Sequence, residues 1–424
     1  MHLTLGFRWG TMKVLFKLSV YWGNHSMPSY IQQGSRVHWR ASAALFLGSF
    51  VTFAVLYCTQ PLIPLFSAEF GTTPAVASLS VSMATGLLAF CMILMSWASD
   101  AAGRKPIMAV ALFVAALLAI VTAFSESFML LLGVRALQGV MLAGFPAIAM
   151  AYINEEFDSA ATGLVMGLYV SGTSVGGMLG RVLVGAMTDL FSWRWALAII
   201  GGVSLVVSIW FWFGLPNSRN FVPKKRPMAG LLSALARKLR DRELLTLFGL
   251  GFLLQGGFVT LYNYIGYTLM APPYNLSQTV VGFIFLVYLT GTFSSTLMGR
   301  LADRAGSSRI LAVSLAIMLF GGLVTLSGTL AVKIAGVAIF TFGFFGSHSV
   351  ASSSVGKAAK SDKAQASSLY LLFYYLGSSI LGTLGGKFLS LFGWGGIVGY
   401  ITSLLVIALL LLLPRAWPEC PETR

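Results

Sequence analysis

Two charged turns, each at the end of a long apolar run, read Gly299-Arg300-Leu301-Ala302-Asp303-Arg304-Ala305-Gly306 and Ser96-Trp97-Ala98-Ser99-Asp100-Ala101-Ala102-Gly103-Arg104-Lys105. At an offset of 203 residues, Asp100 aligns with Asp303 and Gly103 aligns with Gly306. A weaker echo pairs residues 48–52 with residues 256–260, at an offset of 208. A motif repeated at a nearly fixed offset predicts two structurally similar halves.

The composition is typical of a membrane protein. Of the 424 residues, 57% are hydrophobic and only 10% are charged, and the mean hydropathy is +0.83. An ordinary soluble domain carries about 25% charged residues, so the apolar excess must face lipid. This excludes a secreted enzyme, a nucleic-acid-binding domain and a disordered regulator. The odd count of three cysteines argues against a disulfide framework.

Long apolar runs predict an all-α membrane protein with twelve spans. Each run is close to the roughly 20 residues that cross a bilayer, and none shows the period-2 alternation of a barrel strand. The predicted spans are 42–66, 78–97, 106–125, 127–152, 161–188, 193–214, 244–270, 277–298, 309–330, 332–355, 364–390 and 393–414.

The distribution of Lys and Arg predicts the orientation. Of the 28 basic residues, 23 lie in the two tails or in the even-numbered loops, and only Arg194 and Lys333 lie in the odd-numbered loops. Cytoplasmic loops carry the excess of Lys and Arg. We therefore expect both termini to be cytoplasmic.

These observations divide the chain into five parts. We expect a cytoplasmic tail at 1–41, which is flexible or forms an interfacial helix, and a first six-helix bundle at 42–214. A cytoplasmic linker follows at 215–243, and its part 231–239 has the pattern of a basic amphipathic helix. The second six-helix bundle is predicted at 244–414, and a cytoplasmic tail at 415–424.

The two charged turns resemble the G-x-L-x-D-R-x-G-R-K signature of the major facilitator superfamily. The second copy keeps Gly299, Asp303, Arg304 and Gly306, whereas in the first copy Ser96 replaces the initial glycine and Ala101 the first arginine. The resemblance implies two pseudo-symmetric six-helix bundles that rock about a central site. It also implies that the repeated turn, with Arg104 and Lys105 in the first copy, forms a cytoplasmic gate. The alternative is that these charges only mark cytoplasmic turns.

Span 4 carries Arg135-Ala136-Leu137-Gln138-Gly139, which is similar to the R-x-x-Q-G motif of the same family. At 1.5 Å per residue, Arg135 lies about 12 Å along the span, too deep for the interface. We expect its guanidinium to face the bundle interior and to meet carbonyl or polar groups. Snorkelling toward the interface is the alternative.

Span 5 carries a glycine series that resembles the antiporter signature of the drug:proton efflux branch. Gly172, Gly176 and Gly180 match that signature, but Gly177 stands for its proline and Arg181 for its last glycine. Glycines four residues apart also form a flat face for close helix packing, whatever is transported. Both interpretations stay open at the level of sequence.

The sequence places no carboxylate deep in a span, which argues against a site for lipophilic cations. His348 is the only histidine within the predicted bundles. A pKa near 6.5 allows histidine to change charge with small changes in environment. We hypothesise that His348 carries the coupled proton and that Arg135 tunes its field. A neutral histidine that is hydrogen-bonded to a serine or carbonyl is the alternative.

Polar and aromatic residues on the central helices are candidates for the substrate cavity. They are Tyr57, Gln60, Gln255, Tyr262, Asn263, Tyr267, Tyr370 and Tyr374. Each of them has packing as its alternative role. Pro61 and Pro64 are expected to kink the outer end of the first span.

The resemblance to this superfamily implies secondary active transport across a bacterial inner membrane. It also implies proton-coupled efflux, and we expect neutral or amphiphilic compounds, either drug-like or sugar-like, with uptake by a proton-linked or facilitated permease as the alternative. A membrane-embedded enzyme or a sensor are further alternatives, and no Gly-x-x-x-x-Gly-Lys-Ser/Thr occurs for an ATP-driven pump. The expected partners are the lipid bilayer, a small-molecule substrate and protons. We expect a monomer with no cofactor, no metal and no nucleic acid.

Overall fold

A computed structural model describes residues 30–223, 228–359 and 363–412. The predicted tails before residue 30 and after residue 412, together with the basic run at 224–226, lie outside the described residues. The described parts are almost entirely helical. Their α-helices are α1 (Arg36–Tyr57), α2 (Ile63–Glu69), α3 (Pro74–Ala77), α4 (Leu79–Ala102), α5 (Arg104–Ala123), α6 (Phe128–Leu142), α7 (Pro146–Glu156), α8 (Ser159–Leu190), α9 (Trp193–Gly214), α10 (Met228–Lys238), α11 (Arg242–Met270), α12 (Gln278–Phe283), α13 (Tyr288–Ala305), α14 (Ser307–Val324), α15 (Leu330–Ala358) and α16 (Lys363–Leu412).

Eleven helical segments of the described chain are long and apolar enough to cross a membrane. The last of them belongs to α16, which has 50 residues and contains one non-helical position, Gly393, with φ 60° and ψ −152°. A continuous helix of that length would measure about 75 Å, against a hydrocarbon core of about 30 Å. The interruption at Gly393 therefore fits two crossings. The count of twelve spans, which requires this division, stays a prediction.

The first span differs from its prediction at both ends. It begins at Arg36, six residues before the predicted start, because the Ser35 side chain accepts a hydrogen bond from the His38 backbone N–H and caps the helix. The tail predicted to run to residue 41 is therefore shorter. The span is also broken: α1 ends at Tyr57, and α2 begins after Pro61.

The fourth span is broken in the same way, between α6 and α7. Pro146 occupies the first turn of α7, a position where its missing N–H removes no helical hydrogen bond. Helices interrupted within the bilayer expose backbone carbonyls and amides that side chains must satisfy. Polar side chains are therefore expected beside the two breaks, and Arg135, which binds carbonyl oxygens at the end of α1, is one of them.

Two similar helix pairs form the centre of the structure. A Cβ atom on Gly176 of α8 would lie 2.2 Å from the Phe50 carbonyl oxygen of α1, and one on Gly377 of α16 would lie 2.0 Å from the Phe252 carbonyl oxygen of α11. Only glycine allows backbones to approach so closely. The contacts relate Phe50 to Phe252, 202 residues apart, and Gly176 to Gly377, 201 residues apart.

These offsets support a repeat near 203 residues and correct one detail of the sequence comparison. The echo between residues 48–52 and 256–260 requires an offset of 208. Packing relates α1 to α11 in a different register, so that echo does not describe the structural repeat. Buried apolar side chains form two clusters, one drawn mostly from residues 41–215 and the other mostly from residues 235–412.

The linker between α9 and α11 contains the expected amphipathic helix, α10, which contacts α16. Its residue Leu235 is buried. Before this helix, the buried carboxylate of Glu156 accepts hydrogen bonds from the backbone N–H groups of Arg219 and Asn220, at 2.9 and 3.0 Å. The Tyr152 hydroxyl also donates to the Pro216 carbonyl oxygen. The start of the linker is thus attached to α7.

Candidate functional site

Arg135 stabilises the break in the first span. Its Nε donates to the Ser80 carbonyl oxygen at 2.7 Å, and its two Nη atoms donate to the carbonyl oxygens of Val55 and Leu56. The latter two carbonyls belong to the last turn of α1, which has no helical partners for them. Arg135 is fully buried, so its charge offsets the negative end of a helix inside the protein.

The rest of the R-x-x-Q-G motif supports this arrangement. Gln138 accepts a hydrogen bond from Arg135 and donates to the Ala115 carbonyl oxygen on α5. A Cβ atom on Gly139 would lie 2.3 Å from the Ala84 carbonyl oxygen of α4. The motif therefore connects α6 with α1, α4 and α5.

A polar cluster lies where the two halves meet, and we call Arg181, Gln60 and Asn263 the central cluster. The Gln60 Nε2 donates to Asn263 Oδ1 at 2.7 Å, and the Arg181 Nε donates to Gln60 Oε1 at 2.6 Å. Arg181 also donates through Nη1 to the Gly177 carbonyl oxygen at 2.6 Å. Gln60 lies in the break between α1 and α2, whereas Asn263 belongs to α11.

Aromatic rings surround the Arg181 guanidinium. Its central carbon lies 4.1 Å from the ring centroid of Tyr57, 4.9 Å from that of Phe285 and 5.1 Å from that of Tyr288. Arg181 is only 3% exposed, and none of the described carboxylates lies within salt-bridge distance of it. A buried cation that is stabilised by rings and neutral polar groups is left without a counter-ion.

Arg181 was not among the predicted site residues. The sequence signal was present, since this arginine replaces the last glycine of the antiporter-like series. The three glycines of that series do pack closely: Cβ atoms on Gly172 and Gly180 would lie 2.5 Å from the Phe46 carbonyl oxygen and 2.7 Å from the Ala54 Cα. Their side of α8 contacts α1, and Arg181 extends from the next position toward the centre.

Two buried polar atoms near the central cluster have no hydrogen-bond partner. They are the Asn263 Nδ2 and the Gln255 Oε1, on residues that are 1% and 2% exposed. Buried polar atoms are nearly always paired, either with protein or with water. Both residues belong to α11, which therefore carries one unpartnered donor and one unpartnered acceptor about two helical turns apart.

His348 lies on α15 in an aromatic group of the second half. Its Nδ1 is 2.9 Å from the Tyr370 hydroxyl, and its ring centroid is 4.6 Å from that of Tyr374. The hydrogen bonds of Arg135 run to residues 55, 56, 80 and 138 of the first half. None of these described contacts joins His348 to Arg135, and the hypothesis that Arg135 tunes the field at His348 stays a prediction.

Two other cavity candidates have defined partners. The Tyr262 hydroxyl bonds with Thr341 Oγ1 at 2.7 Å, and its ring stacks on Phe285 beside Arg181. The Tyr267 hydroxyl donates to the Ile63 carbonyl oxygen at 3.2 Å. Tyr262 therefore lines the central cluster, whereas Tyr267 lies in the contact between the halves beyond it.

Asp100 and Asp303 lie at one end of the bundle, which we call the motif end. The Thr59 hydroxyl donates to the Ser80 carbonyl oxygen at the start of α4, and Gln278 at the start of α12 donates to the Pro61 carbonyl oxygen. The span of α4 and the span of α12 and α13 therefore start in the same region, which we call the far end. The first span leads from the far end to Asp100 and the second leads from it to Asp303.

The repeated turns have the same backbone form. Gly103 has φ 97° and Gly306 has φ 89°, and each is the single residue between two helices. Positive φ favours glycine, which explains why both copies keep it. Gly299 has no such constraint, since its nearest neighbour for an added Cβ is the Ser349 hydroxyl at 3.8 Å.

Each motif aspartate forms an ion pair within its own half. Arg104 bridges Asp100 and Glu155 at 2.7 Å each, and it is 7% exposed. Asp303 pairs with Lys357 at 3.1 Å on the surface. Lys105 lies over the Trp212 ring at 5.5 Å, and Arg304 is exposed.

Described hydrogen bonds join the halves at the central cluster, whose Gln60 lies between Thr59 and Pro61, and at further positions of the far end. Besides the central cluster, Ser379 donates to the Ser82 carbonyl oxygen and Thr383 to the Ser82 hydroxyl, both at 2.8 Å. The Asp189 carboxylate accepts from the Thr279 backbone N–H at 2.7 Å. In the described chain no group of three or more His, Cys, Asp or Glu residues is placed to hold a metal ion.

The sequence profile of the Major Facilitator Superfamily matches residues 45–355 and 247–423. The chain belongs to the major facilitator superfamily. It is a membrane transporter of that superfamily and a multi-pass protein of the bacterial inner membrane.

Individual relatives agree with this membership. The chain is 49% identical over 381 residues to the uncharacterized MFS-type transporter YybF of Bacillus subtilis, covering 90% of this chain and 94% of YybF. It is 47% identical over 381 residues to the inner membrane transport protein YnfM of Escherichia coli, covering 90% and 91%. These names favour a transporter over an enzyme.

A solved structure shares the superfamily fold. A bacterial homologue of the human lysosomal transporter Spinster, crystallised in an inward-facing and occupied conformation, matches with a TM-score of 0.72 at 16% identity. The match covers 90% of this chain and 97% of that one.

Proposed function

We propose that this superfamily member exports amphiphilic molecules in exchange for protons by alternating access. The observation that carries the proposal is the position of the described hydrogen bonds that join the halves. Described hydrogen bonds join them at the central cluster and at the far end, while Asp100 and Asp303 have their ion-pair partners within their own halves. This arrangement is what a transporter closed at the far end requires.

The excess of Lys and Arg predicts that the motif end faces the cytoplasm. The conformation is then inward-facing. To open outward, the halves must separate at Ser82 and Ser379 and approach at the motif end. Asp100 and Asp303, which lie at that end, are the groups that would then meet new partners.

His348 is the proton carrier in this proposal. It is partly exposed beside Tyr374 on the central side of α15, and the Tyr370 hydroxyl orients its Nδ1. Histidine changes charge near neutral pH. Protonation introduces a charge in an aromatic environment, and the resulting change in its hydrogen bonding with Tyr370 couples the proton to the movement of α15 and α16.

The aromatic walls support an amphiphilic substrate. Phe258, Phe344 and Tyr374 continue the ring surface from His348 toward the central cluster. Rings with few hydrogen-bonding groups bind apolar bodies, while a small number of polar groups fix the orientation of the ligand.

The test is a proton-flux assay with the full chain in liposomes that contain a pH-sensitive dye. A panel of amphiphiles is added under an imposed pH gradient. We expect at least one compound to collapse the gradient while it moves against the proton. His348→Gln should abolish proton movement but keep exchange of the compound without a gradient, whereas His38→Gln, at the start of α1, serves as the histidine control.

Two results would contradict the proposal. Unchanged proton flux in His348→Gln would remove the proton role of that residue. Compound movement that ignores the gradient would contradict coupling and would favour a facilitated permease.

A further inference from the structure

Arg181 is a buried positive charge at the point where the two halves meet, and no described carboxylate balances it. It approaches three rings and donates hydrogen bonds to Gln60 and to the Gly177 carbonyl oxygen. Isolated charges in a low-dielectric environment are costly unless they are paired. Arg135, the other deep arginine, donates hydrogen bonds to three carbonyl oxygens and to Gln138.

The surroundings of Arg181 also contain an unfilled donor. The Asn263 side chain accepts from Gln60 through Oδ1, but its buried Nδ2 has no partner. Arg181 and Asn263 thus contact the same amide, that of Gln60. An anion beside Gln60 would accept from the guanidinium and from Asn263 Nδ2, which satisfies both.

We propose that the central cluster binds the carboxylate of an amphiphilic monoanion, with Arg181 as the charge-recognising residue. This rests on the proposed transport function and specifies its substrate class. The carboxylate pairs with Arg181 and Asn263, and the apolar body of the ligand lies against the rings of Tyr57, Phe285 and Tyr288. A carboxylate that accepts from Arg181 Nε displaces Gln60 Oε1 from it. The Gln60 amide then loses one of its two bonds in the cluster, the other being its bond to Asn263 across the halves, so binding favours a change of conformation.

The binding test uses three probes that share one skeleton and differ in charge: 4-phenylbutyrate, 4-phenylbutyramide and 4-phenylbutylamine. Their affinities are measured by equilibrium dialysis on the full chain in lipid nanodiscs, with no pH gradient. We expect the carboxylate to bind at least about tenfold more tightly than the amide, because charge-assisted hydrogen bonds are roughly twice as strong as neutral ones. The amine should bind most weakly.

Substitutions of Arg181 test whether this residue causes the preference for the carboxylate probe over the amide probe. Arg181→Gln should lose the preference for the carboxylate over the amide, and Arg181→Lys should keep its sign with reduced size. Lys387→Gln is the matched control, since Lys387 is a basic residue of a membrane helix that is exposed. It should bind all three probes as the unmodified protein does.

Several results would overturn the inference. They are equal binding of the carboxylate and the amide, no binding of the carboxylate at millimolar concentration, or a preference that survives in a folded Arg181→Gln protein. If that variant does not fold, the ranking in the unmodified protein decides. The expected ranking without any proton movement would contradict the proposed coupling alone, whereas proton-driven export of the amide and amine as fast as the carboxylate would contradict only the anion site.

Discussion

The Gln60 amide donates to Asn263 Oδ1 at 2.7 Å, and the two residues are 203 positions apart. Asp100 and Asp303 are separated by the same number of positions. Two residues separated by the motif offset therefore contact each other in the central cluster, whereas at the motif end the two aspartates bond within their own halves.

Removing the central amide contact should weaken the association of the halves. Gln60→Leu or Asn263→Leu leaves a buried polar partner unsatisfied, so each should lower the free energy of unfolding by about 1–3 kcal/mol. In the double variant the losses should be less than additive, with a coupling energy of about 0.5–1.5 kcal/mol. Denaturant unfolding of the purified protein and a double-mutant cycle measure this. Additive losses would show that the bond contributes nothing of its own.

Arg135 should be far more important for stability than an exposed arginine. Arg135→Gln removes charge-assisted hydrogen bonds to two carbonyls at the end of α1 and one on α4, so we expect the free energy of unfolding to fall by about 3 kcal/mol or more. Arg194→Gln is the control, because Arg194 pairs with Glu69 on the partly exposed surface, where ion pairs contribute about 0–1 kcal/mol. Thermal unfolding of both variants measures the difference. Equal losses would contradict the assigned role of Arg135.

Alanine substitutions of two glycines on α8 should change stability differently, because one glycine packs against α1 and the other is exposed. Gly176→Ala forces a Cβ against the Phe50 backbone, which should cost about 1–3 kcal/mol of stability and reduce transport. Gly167→Ala on the same helix meets nothing within 4 Å, so it should be neutral or stabilise by up to about 1 kcal/mol. Melting temperatures of the two variants give the comparison. A similar melting temperature for both would contradict the close contact between α8 and α1.

A disulfide at the far end should lock the halves. The Ser82 and Thr383 side-chain oxygens are 2.8 Å apart, so Ser82→Cys combined with Thr383→Cys, in a protein without its native cysteines, should cross-link under mild oxidation. Transport should stop and should return when the bond is reduced. Asp100→Cys with Asp303→Cys is the control pair at the motif end and should stay unlinked in this conformation. Transport that continues with the far end cross-linked would contradict alternating access.

The sequence was sufficient for the superfamily, the all-α membrane fold and the repeat, because these depend on apolar run length and on motifs such as Gly103 and Gly306, whose positive φ requires glycine. Pro61 and Pro64 predict a kink at the outer end of the first span, and the break lies there. Hydropathy treats residues 42–66 as one run, so the sequence does not show that α1 already ends at Tyr57. The sequence does not point to Arg181 as a site residue, because it shows only that an arginine replaces the last glycine of a motif and not which groups surround it. A buried arginine suggests an anion site only when the structure shows that none of the described carboxylates pairs with it.

The attachment of the linker to α7 has a mechanical consequence. Since Glu156 holds the backbone at Arg219 and Asn220, the tether between the two moving bodies starts at residue 220 rather than at the end of α9. The segment from α9 to Asn220 moves together with the first bundle. A change in the distance between the two bundles therefore has to be accommodated after Asn220. An insertion between Asn220 and α11 lengthens only the connection between the two bundles. An insertion before Arg219 disturbs the attachment of the linker to Glu156.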